Sequence, residues 1–180
     1  MGFEFYQDPD ANYGIQVALG GVWAGLGDVG EILVAVQQAP DGDDEASAEA
    51  FGALAERIED IAESSRESGD RRSARDAYLR AATYYAAKLE SVQSQADDAI
   101  PQRAFTDHRR CWDAFADLND PPLERVDIPY ESASLPGYFL GVDGSKRPTL
   151  VLINGSDGAP TGLRRRFTES SRVADFTGVL

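Results

Sequence analysis

Between Leu150 and Pro160 the chain reads LVLINGSDGAP, and Asn154-Gly155-Ser156-Asp157-Gly158 differs at one position from the GxSxG turn that presents a nucleophilic serine. Such a turn needs small residues two places either side of the serine, because a strained strand-to-helix bend leaves no room there for side chains. Gly158 meets that need and Asn154 does not. Ala159-Pro160-Thr161-Gly162 reads as loop where a helix should follow. A triad built on this turn runs serine, acid, histidine along the chain, and the lone histidine, His108, precedes Ser156. Ser156 is therefore not expected to attack a substrate. Gly-rich sequence after a strand can instead aim backbone N–H groups at a developing negative oxygen, which makes Gly155 and Ser156 candidate oxyanion-hole donors. An ordinary glycine turn would have the same sequence.

Other reactive residues carry less. With one cysteine, Cys111, and one histidine, a disulfide within the chain and a Cys/His zinc site are both ruled out, and no metal or cofactor is expected. His108 lies in TDHRRCWDAF and has no identifiable partner to orient it as a base, so a structural role is the default. Asp8, Asp10 and Asn12 mimic the first ligands of a calcium loop, but Tyr13 replaces its sixth-position glycine and Leu19 its twelfth-position glutamate. A solvated helix start is the better reading. Arg164, Arg165 and Arg166 could hold a phosphate, yet in a polar tail they read as solvated. Tyr84 and Tyr85 could reach a substrate, but aromatics on a helix stripe belong to a core.

Charge narrows the partners. Residues 1–60 hold 13 acids and 1 base, 61–120 hold 11 and 9, and 121–180 hold 7 and 7, giving the net charge of −14. An acidic front half repels nucleic acid and anionic membrane, so neither is expected as a partner. Only two of 17 bases are lysine, a balance compatible with a high-salt or high-GC source. Glycines and acids interrupt the apolar positions of residues 14–36, so no spanning segment is expected there. The acidic start MGFEFYQDPD lacks the basic block of a secretion signal, and a cytoplasmic location follows as an expectation.

Elements follow from periodicity. Residues 10–118 read as helical almost throughout, with Asp10 or Asn12 as a first cap and a break among the glycines between Gly20 and Gly30. Phe51, Leu54, Ile58 and Ile61 predict one buried face, and Gly69 a C-cap. Ala74, Ala77, Tyr78, Ala81, Tyr85 and Leu89 form the stripe of the next helix, small enough for close approach in an antiparallel hairpin. A last helix from about Gln102 to Leu118 is anchored by Phe105, Trp112 and Phe115. After Pro121 and Pro122 the period changes: LERVDIPY and LPGYFLGV, joined by ESAS, predict an antiparallel pair. TLVLIN predicts a strand buried on both faces. The final 22 residues show no convincing strand. The plan is a helical domain, 1–120, and an incomplete sheet, 121–180, whose third strand leaves an exposed edge open to self-association or to strands from a partner chain.

The run LERVDIPYESASLPGYFLGVDGSKRPTLVLINGSDGA, residues 123–159, resembles the start of the catalytic domain in α/β-hydrolases with a helical N-terminal domain, the group of dihydroxypseudooxynicotine hydrolase-like and FrsA-like enzymes. LAERIEDIAESSRESGDRRSARDAYLRAATYY, residues 54–85, is similar to that helical domain. The resemblance implies an α + α/β fold, with a helical cap followed by the first strands of a hydrolase sheet, and serine hydrolase chemistry on ester, amide or carbon–carbon bonds of a small molecule. The family's pattern needs further strands for the nucleophile, acid and histidine. The chain is thus read as truncated and inactive alone. The competing reading is a TPR-like helical interaction module, for which only one hairpin and no 34-residue repeat is visible.

Overall fold

Four aspartates set where the helices begin. Asp8, Asp28, Asp43 and Asp70 each accept backbone N–H bonds through the side chain at the start of α1 (Pro9–Gly20), α2 (Val29–Gln38), α3 (Asp44–Glu67) and α4 (Arg71–Val92). A carboxylate there satisfies orphan donors and meets the positive end of the helix dipole. The first helix is capped by Asp8, with Pro9 in its first turn, and not by Asp10 or Asn12. Asn12 instead accepts from the backbone N–H of Phe5 at 2.8 Å, holding the preceding segment. A 3₁₀ turn, Val22–Ala24, occupies the glycine-rich break, and α5 spans Ala99–Leu118. The computed structural model describes residues 4–39, 43–93, 95, 97–140, 148–153, 155, 159–162 and the backbone of 177–179.

The chain divides into two compact units, residues 1–115 and 116–180. In the first, α3 and α4 form the antiparallel hairpin expected from their alanines: Ala55, Ala62, Ala74, Ala81 and Ala82 are completely buried. Ser68, Gly69 and Asp70 make the whole connection. The Gly69 N–H donates to Arg66 O at 3.1 Å and that of Asp70 to Ser65 O at 2.9 Å, a Schellman closure that requires the left-handed φ of +83° found at Gly69. One residue later, Asp70 caps the next helix. Phe51 packs against Tyr84 at 6.5 Å between ring centres, and Trp112 against Phe115 at 5.2 Å. Val92 and Ala104 close the far end with Ala48 and Leu89.

Two expected core positions face outward. Ile61 is 43% exposed and Phe105 45%. On α3 the buried arc runs Phe51, Ala55, Ile58, Ala62, so Ala62 takes the inward place beside Ile61. On α5 it runs Ala104, His108, Cys111, Trp112, Phe115, one residue out of step with Phe105. A hundred degrees of helix turn per residue makes the difference.

The second unit holds a sheet of order β1-β2-β4-β3. β1 (Glu124–Tyr130) and β2 (Ala133–Leu140) form an antiparallel hairpin in which Val126 faces Gly137 and Ile128 faces Leu135. The turn is Glu131-Ser132 alone, shorter than ESAS, with a left-handed φ of 52° at Glu131. β3 (Thr149–Val151) follows, and the tail contributes a strand after all: β4 (Thr177–Val179) lies between β2 and β3, antiparallel to the first and parallel to the second. Three residues are too few for periodicity to register, and only pairing on both sides makes them a strand. TLVLIN is not buried on both faces, since Val151 is 61% exposed and Ile153 82%. Its strand is the last in the described sheet.

Replacing Gly69 with Ala should destabilise the helical unit by about 1–2 kcal/mol, the cost of a left-handed L-residue. Urea unfolding followed by helical circular dichroism measures it, and an unchanged midpoint would contradict the Schellman closure.

Candidate functional site

The loop after β3 is where the sequence placed its candidate oxyanion donors. Gly155 lies in this loop; a Cβ built on it would meet nothing within 4 Å, so crowding does not demand glycine here. Ser156 lies outside the described residues, as do Asn154, Asp157 and Gly158, and Arg164, Arg165 and Arg166. Pro160, Thr161 and Gly162 are helical, not loop, and the Gly162 N–H donates to Ala159 O at 3.0 Å. Proline in a first helical turn was the legible signal, because its missing N–H costs nothing there and its φ is already helical. Thr161 is 4% exposed.

β3, this loop, the helical turn and parallel β4 together make a strand–loop–helix–strand order. Parallel strands require such a crossover, and the loop leaving the carboxyl end of the first is where open α/β sheets take ligands.

His108, Tyr84, Tyr85 and Cys111 of the helical unit are engaged in packing. His108 on α5 is 1% exposed, and its Nδ1–H donates to Ala82 O on α4 at 2.8 Å. That bond fixes the tautomer and leaves a buried Nε2 with no hydrogen-bond partner among the described residues. Burial lowers the His108 pKa and Arg109 adds to the effect, outweighing the Ala82 bond and Asp113, which raise it. The imidazole is held neutral by its surroundings, as the structural reading expects.

Tyr84 and Tyr85 are buried, each tied to a carboxylate. Tyr85 Oη donates to Glu59 Oε2 at 2.8 Å; Tyr84 Oη donates to Glu31 Oε2 at 2.7 Å and accepts from the Asp28 N–H at 2.9 Å. Burial and these carboxylates push both phenol pKa values well up. Neither hydroxyl has the character of a base or nucleophile.

The arrangement the sequence did not disclose is centred on Glu59. Arg110 grips it with two bonds, Nε to Oε1 at 2.8 Å and Nη2 to Oε2 at 2.7 Å, while Nη1 reaches Asp107 at 2.6 Å. Burial alone would raise the Glu59 pKa, but bonds from Arg110, Tyr85 and Cys111 outweigh it and hold the carboxyl below its ordinary value. The Cys111 thiol is pushed up strongly, by burial first and by Glu59 second, so it is no nucleophile. Glu59 beside Ile58 on the buried arc was a signal available in the sequence, since a carboxylate there needs a cation. Among the described residues no cluster of three or more His, Cys, Asp or Glu could hold a metal ion, and none of the helices is long and apolar enough to cross a membrane.

The chain is similar in sequence to curated hydrolases and in fold to a solved one. The chain is 31% identical over 171 residues to the hydrolase acrC of Aspergillus aculeatus, covering 86% of this chain and 40% of that protein. It is 40% identical over 126 residues to the α/β hydrolase xenA of Xenoacremonium sinensis, covering 68% of this chain and 28% of that protein. The crystal structure of 2,6-dihydroxy-pseudo-oxynicotine hydrolase superposes with a TM-score of 0.69 at 16% identity, over 93% of this chain and 44% of that one. The chain belongs to the α/β-hydrolase family. Its fold is the one that the family resemblance implied, helices first and then the opening of a hydrolase sheet. It spans 25–40% of the length of the curated α/β-hydrolases and hydrolases it matches. No protein-family model matches the sequence.

His108 gives the helical unit a pH dependence of fixed sign. An unfolded chain protonates this residue below about 6.5, whereas the folded one resists, so its stabilising effect is complete above that pH and is lost as pH falls beneath it. Glu59 acts in the same direction only below its ordinary 4.5. The thermal midpoint should therefore drop between about pH 7 and about pH 5.5, and His108→Gln should flatten that slope. Arg110→Ala should cost about 2 kcal/mol, less than a fully buried pair because the guanidinium is half exposed. Chemical denaturation tests the value.

Proposed function

We propose that this chain is the N-terminal portion of a serine α/β-hydrolase acting on ester, amide or carbon–carbon bonds of a small molecule in the cytoplasm. The helical unit serves as its cap, and the β3 loop supplies backbone donors to the oxyanion. Gly155 and Ser156 are those donors in this reading. The supporting observation is the order of β3, loop, helical turn and parallel β4, which sets the loop at a strand's carboxyl end with a helix start beside it. Amides so placed stabilise charge developing on a carbonyl oxygen as it becomes tetrahedral, without having to reorient.

The attacking group is not among these residues. A nucleophile of this fold is followed by an acid and then by a histidine, and His108 is both upstream of the loop and buried against Ala82. In this reading Ser156 contributes its backbone N–H and not its hydroxyl.

By itself the chain should neither hydrolyse a chromogenic short-chain ester above the rate of a Ser156→Ala control nor be labelled by a fluorophosphonate probe; serine-dependent labelling would overturn the assignment. A chimera tests the donor role directly. With residues 1–162 replacing the matching part of the xenA hydrolase, Ser156→Pro, which removes an N–H, should lower kcat by about 10²–10³-fold. Ser156→Ala, which keeps the N–H, should leave it nearly unchanged. Equal effects of the two substitutions would refute a backbone role.

A further inference from the structure

The segment before α1 is pinned at two points. Asn12 Oδ1 on α1 accepts from the Phe5 N–H at 2.8 Å, and Tyr6 Oη donates to Val36 O on α2 at 3.1 Å. A cavity of about 410 Å³ is lined by Glu4, Tyr6 and Gln7 of this segment and by Pro9, Tyr13 and Gln16 of α1. Its walls belong to the helical unit and do not involve the sheet. The volume is that of a small-molecule site, for which roughly 300–1,000 Å³ is usual.

Three of the lining side chains are not spent on the fold. Among the described residues Glu4, Gln7 and Tyr13 make no hydrogen bond or ion pair, and Tyr13 is 68% exposed. Charge decides what they can take. Residues 1–56 hold 11 acids and no Lys or Arg, so no basic side chain of that stretch answers the Glu4 carboxylate, and an anion is repelled. A metal ion is poorly served as well, because Glu4 is the only carboxylate in the lining and no cluster of metal-binding side chains occurs among the described residues.

We propose that this cavity is a binding site for a small organic ammonium ion, held between the Tyr13 ring and the Glu4 carboxylate. A phenol ring attracts a cation through its electron-rich face, and an alkylammonium gives up water more readily than an inorganic ion of the same charge. The carboxylate adds direct attraction, and the Gln7 carbonyl can accept from an ammonium N–H. Tyr6 and Asn12, already engaged with Val36 and Phe5, hold the walls in place. The site needs neither the sheet nor the β3 loop, so it stands apart from the hydrolase reading.

Titrating tetramethylammonium chloride into the isotope-labelled chain at constant ionic strength, followed by amide NMR signals, tests the site. Those of Gln7, Tyr13 and Gln16 should shift saturably with a Kd of about 1 mM. tert-Butanol, a neutral molecule of similar shape, should bind at least about tenfold more weakly.

Four substitutions, each checked for unchanged helical dichroism, assign the contacts. Glu4→Gln should weaken tetramethylammonium binding about tenfold and Tyr13→Leu about fivefold. Tyr13→Phe keeps the ring and should change the Kd less than about twofold. Asp10→Asn removes an equal charge from the first turn of α1, outside the lining, and should also change it less than about twofold. Shifts that do not saturate, equal affinity for tert-butanol, or equal losses from Glu4→Gln and Asp10→Asn would each defeat the proposal. So would a Tyr13→Phe chain as weak as Tyr13→Leu.

Discussion

The carboxylate of Glu59 is the point on which three helices agree. It leaves α3, receives the Tyr85 hydroxyl from α4 and the Arg110 guanidinium from α5, and is 8% exposed. A charge in that position is costly to desolvate, and two parallel bonds from a planar guanidinium offset the cost only when the helices stand in one register. The alanine seam of α3 and α4 would tolerate small slides, because small side chains offer few ridges. Glu59 removes that freedom, and with it fixes where His108, Cys111 and Trp112 enter the core. Tyr84 does the corresponding work for α2, through Glu31 and the N–H of Asp28.

The sheet unit is organised by a different constraint. β3 and β4 are parallel, and parallel neighbours cannot be joined by a tight turn. The chain must leave the sheet after β3 and return, and the loop containing Gly155 is where it leaves. A potential anion-binding loop thus arises from topology before any side chain is chosen. Glycine at 155 is permitted by that geometry and not forced by it, which separates this loop from the α3–α4 turn, where Gly69 is the residue the backbone demands.

Much of this was readable in the sequence, for reasons that differ by element. The α3–α4 hairpin announced itself through alanines at helical spacing over four and more turns, with Gly69-Asp70 as stop and start signals. β1 and β2 showed alternation across a prolonged run, and the double proline marked their beginning. What escaped notice was short or distant. β4 has three residues and no periodicity to display; Ala159-Pro160-Thr161-Gly162 reads as loop because a single turn is too short to show a helical period. Glu59 and Arg110 are 51 residues apart, and no local pattern pairs them. Phe105 and Ile61 were misplaced by one helical step, an error that hydrophobicity alone cannot correct. The candidate site was legible as a loop after a strand, while the neighbour strand that gives the loop its setting was not.

The position of β4 between β2 and β3 has a consequence for how the protein is made. During synthesis the five helices emerge before any strand, and most of their residues belong to the unit of residues 1–115. β1 and β2 can also pair as soon as they appear. β3, however, touches no other described strand until residues 177–179 have been added. The nascent chain must therefore carry its helices and a lone hairpin while one uncharged strand waits for its partner, with its backbone donors and acceptors left to water until then.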